Sequence, residues 1–164
     1  ALSYQDYLLA HGLRFFHQGQ LEGRRKRISP HLARGPEEPA DPRLAAFYQR
    51  LLGELRDPVV RGGRWRLLDC GPAWDGNWTS DAFIAFSWTG GKAEKRLVAV
   101  NYADHQSQCY VALPWTDLKG WIWRLRDRMG EIVYERDGCD LASRGLYLDM
   151  PAWGCHVFDV NVLL

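Results

Sequence analysis

Two tryptophans in a short, turn-rich stretch are the residues best suited to holding a ligand. Gly71-Pro72-Ala73-Trp74-Asp75-Gly76-Asn77-Trp78-Thr79 is built of turn formers, and a loop can present aromatic rings to solvent. An indole face stacks on the apolar face of a pyranose ring while its N–H stays hydrogen-bonded. Asp75 and Asn77 add groups for sugar hydroxyls, so Trp74, Asp75, Asn77 and Trp78 are the candidate carbohydrate-binding residues. The competing expectation is that both indoles fold back as a structural plug, at the junction with a preceding domain if there is one. Asn77-Trp78-Thr79 also fits the N-glycosylation acceptor pattern, read here as a chance match. Of the eight tryptophans, Trp65, Trp88, Trp121, Trp123 and Trp153 fall in or beside strand patterns, where core packing explains them.

Other chemistries find less support. There is no Gly-x-Ser-x-Gly elbow and no phosphate-cradling loop. Cys70, Cys109, Cys139 and Cys155 form no Cys-x-x-Cys pair and the five histidines no His-x-x-x-His pair, so no metal site and no cofactor are expected. Cys109 and Cys155 sit in apolar runs, as buried free thiols do. Arg24-Arg25-Lys26-Arg27 is the one concentrated basic run. Without neighbouring aromatics or a reading helix it is expected to be a solvated loop, and no nucleic-acid partner is implied.

The elements that position these residues follow from composition and period. The chain has 164 residues, 46% hydrophobic and 25% charged, with a net charge of +1, the profile of one soluble globular unit. No run approaches the roughly 18 apolar residues of a membrane span. With no signal segment either, the expected compartment is the cytoplasm, and no membrane partner is expected. The start at Ala1 points to an internal piece of a longer protein.

Ser3 can cap a short helix over Tyr4 to Ala10, and Leu13 to Phe16 is a strand candidate. Residues 19 to 40 read as a long loop. Asp41-Pro42 opens a helix, because the carboxylate accepts orphan N–H groups and proline is harmless in the first turn. Leu44, Phe47, Tyr48, Leu51, Leu52 and Leu55 form its apolar stripe, up to a stop at Asp57-Pro58. Beyond Gly62-Gly63 the period becomes two. Eight strand candidates follow: 65–70, 82–88, 96–102, 109–113, 121–126, 131–135, 146–150 and 155–160. In the clearest alternation Trp121, Trp123 and Leu125 share one face, and Arg124 and Arg126 the other. Such spacing predicts a mainly β fold, an antiparallel β-sandwich over 61–164 preceded by a helical segment.

Several of these segments resemble one family. Gly12-Leu13-Arg14-Phe15-Phe16-His17-Gln18-Gly19-Gln20-Leu21-Glu22-Gly23-Arg24 resembles the last barrel strand and following loop of the alpha-amylase family of glycoside hydrolases. The helix from Asp41 to Arg56 resembles the eighth barrel helix. Leu97-Val98-Ala99-Val100-Asn101-Tyr102-Ala103-Asp104 resembles the strand signature of that family's C-terminal β-domain. Leu21 stands where many members have Glu, with Glu22 one place later. The resemblance implies that residues 1–60 are a remnant of a (β/α)8 barrel, its last strand and helix, and that 61–164 are the C-terminal sandwich. It also implies that the catalytic acids lie upstream, so this piece is not itself an enzyme. Its parent would be a glycoside hydrolase or a glucan-transferring enzyme, and its partner the missing catalytic barrel of the same polypeptide.

Glu22, Glu37, Glu38 and Asp41 are loop acids, but nothing in their spacing fixes the carboxyl pair about 5 to 5.5 Å apart that a retaining glycosidase needs. Three readings result: a non-catalytic domain that steadies the barrel, an α-glucan-binding module using the loop tryptophans, or an unrelated β-sandwich interaction domain. An amylase-type sandwich should pack against the helix from Pro42 to Leu55. In the isolated piece the apolar faces of Phe15, Phe16 and this helix must pack on the sandwich, self-associate or fray.

Overall fold

The computed structural model describes residues 12, 15–17, 19–26, 31 and 34–163. In chain order the regular elements are α1 (Pro42–Glu54), α2 (Pro58–Gly62), β1 (Arg64–Leu68), β2 (Cys70–Gly71), β3 (Phe83–Thr89), β4 (Lys95–Asn101), β5 (Ser107–Val111), β6 (Ile122–Asp127), β7 (Val133–Asp137), α3 (Gly138–Arg144), β8 (Leu146–Met150) and β9 (Cys155–Val162). A short 3-10 turn spans Thr79–Ala82. The strands form two sheets, one of order β1-β3-β4-β9-β6-β7 and one of order β2-β5-β8. Every pairing is antiparallel. The expected mainly β sandwich therefore forms, with Leu97, Ala99, Cys109, Val111, Leu125, Leu148 and Phe158 among the side chains buried between its sheets.

The first strand candidate divides at Asp69. Residues before it pair with β3 in the large sheet, and those after it with β5 in the small one. One strand thus turns a corner of the sandwich, as strands do where they switch sheets.

Helix α1 begins as its sequence dictates: Asp41 accepts from the N–H groups of Arg43 (2.9 Å) and Leu44 (3.2 Å). Tyr48 and Leu51 are buried with Phe86, Trp88, Val98, Val100 and Val157, on the large sheet's other face. Polar contacts fix the helix there. Arg50 donates to the Met129 carbonyl at 3.0 Å, and Arg128 pairs with Glu54. Asp57-Pro58 does end α1, but it also starts α2, which the expected stop had not included. Asp57 accepts from Val59 N–H at 2.8 Å, and Val59 and Val60 turn into the same apolar layer. The other Asp57 oxygen takes Arg96 Nη2 at 2.8 Å, while a second Arg96 nitrogen reaches Asp159. These three largely buried charges join α2, β4 and β9.

Helix α3 also departs from the strand-only expectation. Asp137 accepts from Cys139 N–H (2.7 Å) and Asp140 N–H (3.3 Å), the N-cap pattern. The helix stops at Gly145, where φ is +82° and a Cβ would lie 2.3 Å from the Val111 carbonyl oxygen. Only glycine fits there.

Two tryptophans assigned to the core lie outside it. Trp121 precedes β6 and is 56% exposed; Trp153 sits in the β8–β9 turn and is 42% exposed. The two-residue period holds only inside a hydrogen-bonded ladder, so it does not orient flanking residues. Trp115, by contrast, is buried and donates to Thr89 Oγ1 at 3.1 Å. Cys70, Cys109 and Cys139 are free thiols; Cys109 is fully buried, and Cys155 only half-buried. The helix expected over Tyr4 to Ala10 lies outside the described residues, as do Leu13 and Arg14. Phe15 and Phe16 belong to neither helix nor strand, and among the described residues no strand pairs with them.

One buried carboxylate ties the β6–β7 turn to β9. Asp127 Oδ1 accepts from the N–H groups of Met129 and Val157, both at 3.0 Å, and Oδ2 lies 2.8 Å from His156 Nδ1. Burial opposes ionisation of Asp127, but the His156 ring and the two amides outweigh it and hold the carboxyl below its usual range. A folded pKa below the unfolded value of about 3.9 means the stabilisation is fully present above that value. It is lost as pH falls through the folded pKa. Asp127→Asn is therefore expected to cost about 2–3 kcal/mol at pH 7 and to flatten the loss of stability in acid. Urea unfolding at pH 7 and at acid pH checks this; an unchanged acid limb in the variant would contradict it.

Candidate functional site

Trp74 and Trp78 stand out from the loop between β2 and the Thr79–Ala82 turn, 55% and 68% exposed. Gly76 provides the left-handed residue of this loop (φ +78°), and Asn77 N–H closes it on the Trp74 carbonyl at 3.1 Å. Neither indole is buried among the described residues. Asp75 is exposed beside them.

Asn77 behaves differently. It is buried, its Oδ1 accepts from Ala73 N–H (3.1 Å) and its Nδ2 donates to Thr79 Oγ1 (2.8 Å). Thr79 Oγ1 in turn accepts from Gln108 N–H at 3.0 Å, which pins the loop to β5. The amide is spent on loop shape, so three of the four candidates reach the surface and Asn77 supports them from below. A buried, engaged side-chain nitrogen is also closed to glycosyl addition in the folded chain.

The fold adds rings that the sequence pattern had not grouped with this loop. His105, in the β4–β5 turn, lies 5.3 Å from Trp78 between ring centroids, tilted by 47°. Its Nδ1 faces Asp104 at 3.2 Å, and its Nε2 is shielded with no partner among the described residues. Tyr102 and Trp153 meet edge to face at 5.7 Å. Trp153 adopts φ +57° and is held by its N–H to the Ala103 carbonyl at 3.0 Å. Beneath them, fully buried Asn101 donates to the carbonyls of His105 (2.8 Å), Met150 (3.2 Å) and Pro151 (2.9 Å). Tyr102 N–H to the Ala82 carbonyl (2.7 Å) joins this end to the tryptophan loop. Trp78, His105, Tyr102 and Trp153 thus line one end of the sandwich on a knitted frame.

The outward face of the small sheet continues from there. Alternation puts Gln108 and Tyr110 of β5 opposite Asp149 and Tyr147 of β8. Gln106 and Gln108 both donate to Asp149 Oδ1, at 2.8 and 3.0 Å. Tyr110 and Tyr147 lie 5.4 Å apart, tilted by 55°, and Arg144 covers Tyr110 while donating to its hydroxyl. The signal in the sequence was the outward phase of β5 and β8, Gln-x-Tyr and Tyr-x-Asp.

The loop acids are committed elsewhere. Asp41 caps α1, and Glu38 accepts from the N–H groups of Arg25 (2.9 Å) and Lys26 (3.1 Å), which hold its carboxyl below the usual range. Arg24, Arg25 and Lys26 are exposed, as a solvated run would be; Arg27 lies outside the described residues. Among the described residues no group of His, Cys, Asp and Glu is placed to hold a metal ion. No helix among them is long and apolar enough to cross a membrane.

No protein-family model matches the chain, and no curated protein matches it either. Solved structures do. The trehalulose synthase MutB from Pseudomonas mesoacidophila MX-45 is 13% identical with a TM-score of 0.45. An inactive double mutant of MutB in complex with isomaltulose is 14% identical with a TM-score of 0.47. Each match covers 72% of this chain and 18% of the other. The chain therefore spans under a fifth of the length of the solved structures it matches.

The loop geometry yields a direct contrast. Asn77→Ala is expected to destabilise the protein by about 1–3 kcal/mol through the lost latch, whereas Asp75→Ala stays within about 0.5 kcal/mol. Urea denaturation of both variants measures this, and equal effects would contradict the assignment of Asn77 as the latch.

Proposed function

We propose that this chain is the non-catalytic C-terminal region of an alpha-amylase-family enzyme acting on α-glucans, and that it steadies the catalytic barrel. The observation that carries the reading is the seat of α1. Tyr48 and Leu51 enter the apolar layer on the large sheet, and Arg50 and Glu54 bond to the β6–β7 turn. That is the packing expected if the last barrel helix and the sandwich move as one body, and it disfavours an independent module with a loose helical arm. The resemblance of residues 12–24 and 97–104 to the family's segments supports the same reading.

Stabilisation would act through this joint. Leu44, Phe47 and Leu55 are only partly covered, and Phe15 is 74% exposed. The upstream barrel would bury the remainder, and its burial would tie barrel stability to the sandwich. The catalytic acids belong to that barrel in this reading.

A second reading, an α-glucan-binding module, is favoured by the exposure of Trp74 and Trp78. Loss of α-glucan affinity in a Trp74→Ala, Trp78→Ala double variant would support it.

For the isolated chain, size-exclusion chromatography with an apolar dye is expected to show self-association or dye binding. A clean monomer that binds no dye would count against a missing barrel.

A further inference from the structure

The chain carries two Asp-Gly pairs, Asp75-Gly76 and Asp137-Gly138, and the fold treats them in opposite ways. Such a pair is a reactive unit, because the aspartyl side chain reaches the next backbone nitrogen in a five-membered ring and glycine has no Cβ to crowd that nitrogen. In a folded protein the outcome depends on what holds the carboxyl and the amide.

At Asp137-Gly138 both are held. Asp137 Oδ1 accepts from the N–H groups of Cys139 and Asp140, and Gly138 N–H donates to the Trp121 carbonyl at 2.9 Å. Gly138 is buried, with the Leu118 carbonyl oxygen standing where a Cβ would be. At Asp75-Gly76 neither is held. Both residues are exposed. Among the described residues the Asp75 carboxylate has no hydrogen-bond or ion-pair partner, and Gly76 N–H has no acceptor. Nothing lies within 4 Å of the position a Gly76 Cβ would take.

We propose that Asp75 is a site of spontaneous isomerisation to isoaspartate, and that this change unlatches the tryptophan loop. The Gly76 nitrogen attacks the Asp75 carboxyl carbon. The new N–C bond closes a succinimide, and the amide proton leaves with a carboxyl oxygen as water. Water then returns to the ring. Addition at the side-chain carbonyl restores aspartate, whereas addition at the main-chain carbonyl breaks the original peptide bond and leaves the chain running through the side chain. Nothing but water is exchanged, and the mass of the protein is unchanged.

The isomer has one extra backbone atom between Trp74 and Gly76. The turn closed by Asn77 N–H on the Trp74 carbonyl, at 3.1 Å, encloses only Asp75 and Gly76. Asn77 Oδ1 spans the same stretch to reach Ala73 N–H at 3.1 Å. A four-residue turn has fixed dimensions, so the added atom breaks these closures and changes the spacing of Trp74 and Trp78. The exposed indoles of fresh and aged protein then present two different surfaces.

The test is peptide mapping of the full chain after incubation at physiological temperature and pH, folded and in guanidinium chloride. Isoaspartate is recognised by resistance to endoproteinase Asp-N and by methyl uptake from an isoaspartyl carboxyl methyltransferase. Both pairs should isomerise at comparable rates in denaturant, whereas in the folded chain Asp75 should react at least about tenfold faster than Asp137. Asp75→Glu should abolish the reaction, since its ring would need six members. Asp75→Asn should speed it at least about tenfold, because ammonia is expelled in place of water, and is read as an amide-to-acid mass change. Aged wild-type chain should unfold at lower urea and shift its tryptophan emission, as fresh Asn77→Ala does, while aged Asp75→Glu should do neither. Isoaspartate forming in the folded chain no faster at Asp75 than at Asp137 overturns the site. An isomerised chain with unchanged unfolding and emission overturns the unlatching.

Discussion

The middle strands of the large sheet are apolar on both faces. Leu97, Val98, Ala99 and Val100 of β4 are all buried, as are Val157, Phe158 and Val160 of β9. A sheet of this kind needs a cover on each side, because leaving either face in water forfeits its burial energy. The small sheet covers one face and α1 with α2 the other, which gives two separate apolar layers. The small sheet is only three strands wide, with polar and aromatic side chains on its outer side. Helices α1 and α2 are thus part of the same packing problem as the strands, although they precede every described strand.

Buried polar side chains then fix the connections, each by satisfying backbone groups that a loop would otherwise leave exposed. Asp127 does this for the β6–β7 turn, Asn101 for the two turns at the ring-bearing end, and Asn77 for the tryptophan loop. The Asp57, Arg96 and Asp159 cluster fastens α2 to β4 and β9. The surface rings are therefore mounted on loops whose shapes are set from below. Fixed rings lose little freedom on meeting a ligand, which is the property a recognition surface needs.

The tryptophans show how far residue type alone reaches. Trp88 and Trp123 lie in ladders and are buried, Trp123 on the inward phase of β6 and Trp88 in a strand covered on both faces. Trp121 and Trp153 share the same type and near-strand setting but fall just outside the ladder, and both are exposed. The tryptophan loop was recognisable from its turn residues. His105, Tyr102 and the small-sheet face were not joined to it, since they are brought together by sheet order and by Asn101. Asn77 serves the loop and not its surface for a related reason: an amide suited to hydroxyls is equally suited to a tight turn, and only its neighbours decide between the two.

The local code determined the start of α1 at Asp41-Pro42 and the period-two strands beyond Gly62, since caps and alternation act over a few residues. The same code for α2 and α3, Asp57-Pro58 and Asp137 with Gly145, was present in the residues and is as local. Tertiary structure alone decided that one strand divides at Asp69 between two sheets, that Arg96 meets Asp57 and Asp159, and that Gln106 and Gln108 share Asp149. Those contacts join residues far apart in sequence, and their energy depends on burial that exists only once both faces of the large sheet are covered.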